Sequence, residues 1–313
     1  MFADNVFFDY IHSQKTTIKN NMRNLVLTGS TGFIGKNLLI RISKNPEIKI
    51  HAIIRKNSDI NFLKNHNVNL VFYDGTFGSL NNFFSKEKID VVTHLATFYL
   101  FDHKPQEIDE LIDSNIKFGC HLLEAATINN CKKFINAGSY IQNYFSEKYY
   151  PSCLYAATKE SLQKIIDYYA LNRGLSAITL KLYDVYGAND DRKKILNSFK
   201  ELSENGKKLK MSPGEQELRL TYIDDVLEAI ELSTKMLENF NAEHKIYYVG
   251  SETHKLKEIA KIFERLSGRS LNIEWGAFPY REGQPMKSYI GELLPNWKSK
   301  TNLESGIKKF LNL

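Results

Sequence analysis

The chain has 313 residues, of which 42% are hydrophobic and 25% charged, a balance typical of soluble globular proteins that allows one large α/β domain or two intimate ones. Its net charge of +6 comes from scattered lysines rather than a block of roughly five or six like charges, so neither nucleic acid nor a membrane is an expected partner. A mildly basic surface with a site for a small anionic molecule is favoured.

Cysteine usage and hydropathy exclude further classes. Cys120, Cys131 and Cys153 form no Cys-x-x-Cys pair, so neither a disulfide framework nor a metal site is expected, and a cytoplasmic location is predicted. No uncharged apolar run approaches the roughly 18 residues that span a bilayer. Residues 1–22, an N-terminal extension without a signal-peptide pattern, are predicted to be a docked arm or a poorly ordered segment.

Strand-like runs alternate with helical patterns through the first two-thirds of the chain. The predicted strands are Asn24–Thr28, Lys49–Ile54, Asn69–Phe72, Val91–Leu95, Lys133–Asn136 and Ser176–Leu182, and the main predicted helices are Glu107–Asn129 and Tyr155–Asn172. This alternation predicts an α/β fold with a Rossmann-type, doubly wound parallel sheet over residues 23–187. Ligands of such sheets bind at the C-terminal ends of the strands.

The rhythm changes after Gly187. Polar loops are predicted at Ala188–Arg192 and Ser203–Glu217, helices at Asp224–Leu237 and Leu256–Leu266, and a returning strand at Lys245–Val249. We therefore expect residues 188–313 to form mainly a smaller C-terminal substrate-binding lobe, with the chain crossing back to the sheet near residues 219–249.

A glycine-rich turn follows the first predicted strand and opens an amphipathic helix. Strand, glycine turn and helix in this order are typical of a dinucleotide-binding site. Gly29 would allow the tight turn, and Gly35 would let the helix pack closely, while the helix N-terminus faces the pyrophosphate. The predicted cofactor-binding residues of this segment are Gly29, Ser30, Thr31, Gly32, Phe33 and Ile34.

The ends of the second and third strands bear on the choice of cofactor. An NAD-binding site usually has an acidic residue after the second strand, where this chain has Arg55. Because Arg55 can grip a 2′-phosphate that a carboxylate would repel, NADP(H) is favoured over NAD(H). Asp74, after the third strand, could accept from the adenine amino group or serve the turn that Gly75 continues.

A phenol and an ammonium are predicted to share one helix face. Tyr155 and Lys159 are four residues apart, so both project from one side of the predicted helix, where Tyr155 can donate a proton to a carbonyl oxygen under hydride attack. Lys159 is expected to lower the pKa of the phenol. Ser139 follows the fifth strand and can stabilise the same oxygen. A second Tyr-x-x-x-Lys pair, Tyr144 with Lys148, lies in a predicted loop and is not favoured.

Together these motifs resemble the extended short-chain dehydrogenase/reductase family, in its nucleotide-sugar branch. The likeness covers nearly the whole chain from about residue 23. Gly29, Gly32 and Gly35 match its glycine motif, and Ser139, Tyr155 and Lys159 match its catalytic set. The resemblance implies that Lys159 also binds the nicotinamide ribose, and that Leu95, Ala96 and Thr97 border the cofactor.

The same resemblance implies a set of substrate-binding residues. Asp184 stands where the family usually has Asn, which puts its usual substrate contact in doubt. Arg219 resembles an arginine that contacts the nucleotide, and Arg281 resembles one that binds the pyrophosphate. Tyr99 could line the sugar pocket or only pack. The full predicted set is Thr97, Tyr99, Ser139, Tyr140, Asp184, Arg219 and Arg281.

Within the branch, the chain most resembles 4-ketoreductases of the CDP-abequose and CDP-paratose synthase type. This implies NADPH-dependent reduction of the 4-keto group of a CDP- or dTDP-linked 4-keto-6-deoxy or 3,6-dideoxy sugar. Dehydration is not expected, because Tyr140 and Ile141 follow Ser139 where 4,6-dehydratases carry an Asp-Glu pair. The alternatives are an NAD-dependent nucleotide-sugar epimerase and a non-catalytic NADP-sensing protein. The resemblance also implies a homodimer.

Overall fold

The computed structural model describes residues 23–281, 284 and 286–313, so the predicted extension 1–22 lies outside the described residues. The strands are β1 (Arg23–Thr28), β2 (Ile48–Arg55), β3 (Asn69–Tyr73), β4 (Val91–His94), β5 (Lys133–Ser139), β6 (Ser176–Leu182), β7 (Asp184–Tyr186), β8 (Leu209–Met211), β9 (Glu217–Tyr222), β10 (His244–Val249), β11 (Thr253–Lys255) and β12 (Ile273–Trp275). The helices are α1 (Phe33–Ile42), α2 (Phe77–Phe84), α3 (Ile108–Ile112, continued by Asp113–Lys117 and Phe118–Ile128), α4 (Leu154–Arg173), α5 (Ile195–Asn205), α6 (Ile223–Met236), α7 (Leu256–Ser267) and α8 (Leu303–Leu311).

Seven strands form the central sheet, in the order β10-β6-β5-β4-β1-β2-β3. Every pairing in it is parallel. The order reverses between β1 and β4, the point where open α/β sheets bind their ligands. The predicted Rossmann-type fold is confirmed, and so is the returning strand, since β10 pairs with β6.

The sheet is buried on both faces because its side chains alternate between two cores. Leu25 and Leu27 face one core with α1 and α6, whereas Val26 faces the other with α2, α3 and α4. This explains why the central strands read as continuous apolar runs. Within the described residues, no helix combines the length and apolar character needed to cross a bilayer.

Two small sheets lie outside the central one. Strands β11, β9 and β7 form a three-stranded sheet, and β12 pairs with β8. The predicted loop Ser203–Glu217 is therefore wrong in part, because it holds the end of α5 and the strand β8. Strands of three residues are too short to show a period of two, so no pattern in the sequence predicts them. The division near residue 187 between the sheet domain and a C-terminal substrate-binding lobe stays a prediction.

The helix predicted at Glu107–Asn129 contains a π-helical turn. Residues Asp113–Lys117 form this turn, with α-helix on either side. π-helical turns are rare in proteins, and those that do occur are often found at functional sites. The turn carries the buried Asn115, whose contacts reach the site described next.

Candidate active site

A cleft of about 1950 Å³ opens at the C-terminal ends of the central strands. It exceeds the roughly 300–1,000 Å³ of a drug-sized pocket and so has room for two ligands side by side. Most predicted site residues line it: Gly29, Ser30, Thr31, Gly32, Phe33, Ile34, Arg55, Asp74, Leu95, Ala96, Thr97, Tyr99, Ser139, Tyr140, Tyr155, Lys159 and Asp184.

The glycine turn has the geometry that the sequence predicts. Gly29 has a φ of +71°, and a Cβ there would lie 2.6 Å from the backbone nitrogen of Ala96. A Cβ on Gly35 would collide with the carbonyl oxygen of Gly29. Helix α1 begins after Gly32 with no acidic side chain in its first turn. Its first N–H groups can therefore face a phosphate.

A buried histidine joins the two strands beneath the turn. The Nδ1 atom of His94 lies 2.8 Å from Thr28 Oγ1, which also accepts from the backbone N–H of Ala96 over 3.1 Å. Burial, with a smaller contribution from Lys159, lowers the pKa of His94 to about 3. His94 is therefore neutral and structural, and it places Ala96 beside the glycine turn.

Arg55, at the far end of the cleft, is the last residue of β2. Its side chain is 64% exposed, and Nη1 lies 3.8 Å from Glu110 Oε1. Asp74 accepts from both the backbone N–H and the hydroxyl of Thr76 (2.8 and 2.7 Å), which lowers its pKa. Asp74 thus serves the turn and also borders the cleft, and its contact with the adenine amino group stays a prediction.

Ser139, Tyr155 and Lys159 all line the cleft, and Lys159 Nζ lies 6.0 Å from the ring centre of Tyr155. Ser139 ends β5, while Tyr155 and Lys159 lie in the first turns of α4 with 6% and 2% exposure. Burial raises the pKa of Tyr155, and the Thr97 side chain within hydrogen-bond reach opposes this shift. Burial lowers the pKa of Lys159 to about 8. The expected lowering of the phenol pKa by Lys159 is outweighed, because both groups are shielded from water.

The competing Tyr144–Lys148 pair has no helix to align it. Both residues lie in the loop between β5 and α4, where the Tyr144 N–H donates to the carbonyl of Tyr150. Lys148 is exposed. Tyr144 borders the cleft, but the two side chains share no helix face.

The predicted substrate residues fall into two groups. Tyr99 packs edge-on against Tyr155 with ring centres 4.9 Å apart, and Tyr140 donates to Asp184 Oδ2 over 3.3 Å. Arg219 and Arg281 are not among the residues that line the cleft. Their guanidinium groups lie 5.5 Å from the ring centre of Tyr183 and 4.8 Å from that of Phe101, respectively, and both of these aromatic residues line the cleft. Their roles stay predictions, and Glu282 and Gly283 lie outside the described residues.

Sequence reasoning missed Asn115, which fixes the Thr97 segment. Its Oδ1 accepts from the Thr97 hydroxyl (3.0 Å) and the Phe98 N–H (2.8 Å). Its Nδ2 donates to the Phe98 carbonyl (2.9 Å) and to Thr158 Oγ1 on α4 (3.0 Å). One buried amide thus holds two walls of the cleft together. Asparagine inside a helical pattern gave no signal of this role.

A basic run was also missed. Arg192, Lys193 and Lys194 line the cleft, at and beyond the end of the predicted loop Ala188–Arg192. The guanidinium of Arg192 lies 4.2 Å from the ring centre of Phe33, in the first turn of α1. Three consecutive cations were a usable signal, because the cleft is expected to hold anionic ligands.

Comparisons with known proteins agree with this geometry. The chain is 29% identical over 289 residues to the CDP-abequose synthase of Yersinia pseudotuberculosis, which covers 91% of this chain and 99% of that protein. It superposes on UDP-glucose 4-epimerase of Thermotoga maritima with a TM-score of 0.80 at 22% identity, covering 92% and 97% of the two chains. UDP-glucuronic acid 4-epimerase of Bacillus cereus, solved with UDP-glucuronic acid and NAD, gives a TM-score of 0.80 at 21% identity, covering 92% and 98%.

The two solved structures have the same fold as this chain. The sequence profile described as the NAD dependent epimerase/dehydratase family matches residues 25–250, most of the chain. The resemblance drawn from the glycine turn and the catalytic set is confirmed at this level. The chain belongs to the NAD dependent epimerase/dehydratase family.

Proposed function

We propose that this protein reduces the 4-keto group of a CDP- or dTDP-linked 4-keto-6-deoxy or 3,6-dideoxy sugar with NADPH. The observation that carries the proposal is that Ser139, Tyr155 and Lys159 line the same cleft as the glycine turn. The similarity to a CDP-abequose synthase over nearly the full length of both chains supports the substrate class.

The state of Tyr155 suits a reductase. Burial raises its pKa, so the phenol holds its proton at neutral pH and can give it to an oxygen that becomes negative. Ser139 would hold that oxygen with its hydroxyl. Lys159, with a pKa of about 8, is mostly protonated at neutral pH and supports the charge that forms. A bound reduced nicotinamide supplies the hydride.

The cofactor residues favour NADP(H) over NAD(H). Arg55 ends β2, and its backbone N–H donates to Ser58 Oγ over 3.1 Å, which keeps the short loop after the strand at the cleft. The loop from Arg55 to Ser58 offers two cations and no carboxylate to a 2′-phosphate. The Bacillus cereus relative was solved with NAD, which has no 2′-phosphate. The proposed preference of this chain for NADPH over NADH therefore rests on Arg55.

The NAD-dependent nucleotide-sugar epimerase is the second candidate, favoured by the shared fold of the two solved epimerases. It would retain NAD and show no net consumption of reduced cofactor. A non-catalytic NADP-sensing protein is the least favoured, since such a protein needs no serine, tyrosine and lysine set.

We further propose a homodimer formed through α3 and α4. Five large apolar side chains on these helices are between 39% and 82% exposed: Ile108, Ile112, Ile128, Tyr168 and Leu171. Exposed apolar side chains on neighbouring helices are typical of an association surface. Sedimentation of the full chain would show twice the monomer mass.

The deciding experiment follows loss of NADPH with CDP-, dTDP- and GDP-linked 4-keto-6-deoxy sugars, each with and without the 3-hydroxyl. Stoichiometric oxidation with a CDP or dTDP substrate supports the proposal. Tyr155→Phe should abolish turnover and retain NADPH binding, while Tyr149→Phe, which changes an exposed phenol of the loop before α4 that does not line the cleft, should change neither. Copurified NAD with no NADPH consumption would instead support the epimerase.

A further inference from the structure

Asp184 and Lys194 face each other on the wall of the cleft. Lys194 Nζ lies 3.4 Å from Asp184 Oδ1, and the Tyr140 hydroxyl donates to the other oxygen, Oδ2, over 3.3 Å. The two charged side chains are 29% and 32% exposed, so the pair is neither sealed in the core nor fully solvated. Its remaining donors and acceptors can therefore reach a ligand in the cleft.

The pair stands next to the predicted reaction centre. Tyr140, the partner of Asp184, directly follows Ser139 in the chain. Lys194 Nζ lies 4.9 Å from the ring centre of Tyr99, whose ring in turn packs against Tyr155. One aromatic ring thus separates the pair from the predicted proton donor.

The charge of Asp184 reaches the surrounding phenols. Burial raises the pKa of Tyr99 to about 12, and the Asp184 carboxylate adds to that shift. The same two causes, burial first, raise the pKa values of Tyr140 and Tyr144. The carboxylate is therefore the dominant negative group at this end of the cleft.

Other acids line the cleft, but they stand at the cofactor end. In the part of the chain that the structure describes, Asp59 and Asp74 belong to loops after β2 and β3, and Glu110 and Asp113 belong to α3. Asp184 is the acid beside the substrate residues. A bare carboxylate there would repel a diphosphate and any negative charge that forms on the reacting oxygen.

We propose that Asp184 and Lys194 act as a charge-compensated recognition site that accepts a hydroxyl of an uncharged sugar and disfavours a sugar that carries a carboxylate. This inference rests on the proposed function, since it assigns the sugar class of the same cleft. The Asp184 carboxylate can accept a hydrogen bond from the sugar O–H, and the Lys194 ammonium can donate one to the oxygen of the same hydroxyl. The pair therefore satisfies both the donor and the acceptor of that hydroxyl.

Charge compensation by Lys194 also explains how the chain can carry Asp184 where the family usually has Asn. The resemblance puts a neutral Asn at position 184, where no counter-charge is needed, whereas Asp184 needs Lys194 beside it. A sugar carboxylate would approach Asp184 and leave one negative charge uncompensated. The site thus distinguishes an uncharged hydroxyl group of the sugar from a carboxylate by charge rather than by size.

The test measures binding by calorimetry, so it needs no turnover and stays informative if the reductase proposal fails. The probes are UDP-glucose, UDP-glucuronic acid and CDP-glucose, and the variants are Lys194→Met, Asp184→Asn and the double variant. We expect wild-type protein to bind UDP-glucose roughly tenfold or more tightly than UDP-glucuronic acid. Asp184→Asn should narrow that ratio, because it removes the repelling charge.

The double variant measures the coupling between Asp184 and Lys194 separately from the effect of each residue alone. Lys194→Met should weaken binding of the neutral probes several-fold, and most of that loss should vanish in the Asp184→Asn background, because compensation is then unnecessary. An equal loss in both backgrounds would overturn the proposal and make Lys194 an independent phosphate ligand. Failure of both UDP-glucose and CDP-glucose to bind would also overturn it. Lys207→Met, which changes an exposed lysine that does not line the cleft, is the control, and melting temperatures verify folding.

Discussion

The side-chain oxygen of Gln142 accepts a hydrogen bond from the backbone N–H of Ser139 over 2.8 Å. The amide nitrogen of Gln142 donates to Glu160 Oε2, also over 2.8 Å, and Glu160 follows Lys159 on α4. Lys181 Nζ lies 3.6 Å from that carboxylate. A buried polar network therefore connects the turn that carries Ser139 to the helix that carries Tyr155 and Lys159.

Gln142→Met should lower both stability and turnover. The change leaves the Ser139 N–H without its partner, which costs about 1–3 kcal/mol for a buried unsatisfied group, and it removes one of the donors to the Glu160 carboxylate. Because Ser139 is then held less firmly, kcat should fall more than KM rises. Urea unfolding and steady-state kinetics measure the two effects.

Gln163→Met is the matched control for this change. Gln163 contacts both Gln142 and Glu160 at 3.2 Å, yet it has no bond to Ser139. Its loss should therefore lower stability and spare kcat. Equal losses of kcat in the two variants would show that the network serves stability alone.

Gly35→Ala should destabilise the fold and weaken cofactor binding. The added methyl would meet the carbonyl oxygen of Gly29 and the Cα of Ser30, which are backbone atoms that move only with the turn. Overpacking of this kind costs about 1–3 kcal/mol. Thermal unfolding and NADPH titration provide the measurements.

Gly78→Ala is the comparison for that variant. Gly78 lies in α2, and the nearest atom to its added Cβ is Thr76 Oγ1 at 3.8 Å. We expect this variant to be more stable by about 0.5–1 kcal/mol, because alanine loses less backbone entropy in a helix. A Gly35→Ala protein that matched it in stability and NADPH affinity would contradict the geometry assigned to the turn.

Arg55→Ala should weaken NADPH binding and leave NADH binding nearly unchanged. Hydrogen bonds to charged groups contribute about 1.5–3 kcal/mol, so we expect at least a roughly tenfold higher Kd for NADPH. Fluorescence titration of both reduced cofactors gives the ratio. Arg23→Ala removes an exposed arginine at the opposite end of the sheet, where it pairs with Glu238, and should change neither Kd. A parallel loss of NADH affinity would argue against recognition of the 2′-phosphate.

Lys159 predicts a pH dependence of stability. Burial lowers its pKa from 10.5 to about 8, so between these values the unfolded chain binds more protons at this group than the folded one. The free energy of unfolding then rises with pH across that window, and the burial penalty is complete below it. Relative to Lys159→Met, the wild-type protein should gain stability from about pH 8 to about pH 10. A constant difference in urea midpoints would show that the lysine is not desolvated.

Much of the fold and part of the site follow from local sequence patterns. The glycine turn between β1 and α1, the alternating strands and helices, and the choice of Tyr155 over Tyr144 all depend on residues within a few positions of one another. Each pattern reflects backbone geometry that neighbouring residues impose: positive φ at Gly29, side chains four apart on α4, apolar runs in doubly buried strands.

Only the tertiary structure decided the contacts that complete the cleft. Asn115 meets Thr158, Gln142 meets Glu160 and Asp184 meets Lys194 through packing of separate elements. It also put Arg219 and Arg281 against aromatic residues that line the cleft, and revealed three-residue strands too short to show a period. These contacts depend on how separate elements pack in three dimensions. The spacing of residues along the chain does not determine which elements come into contact.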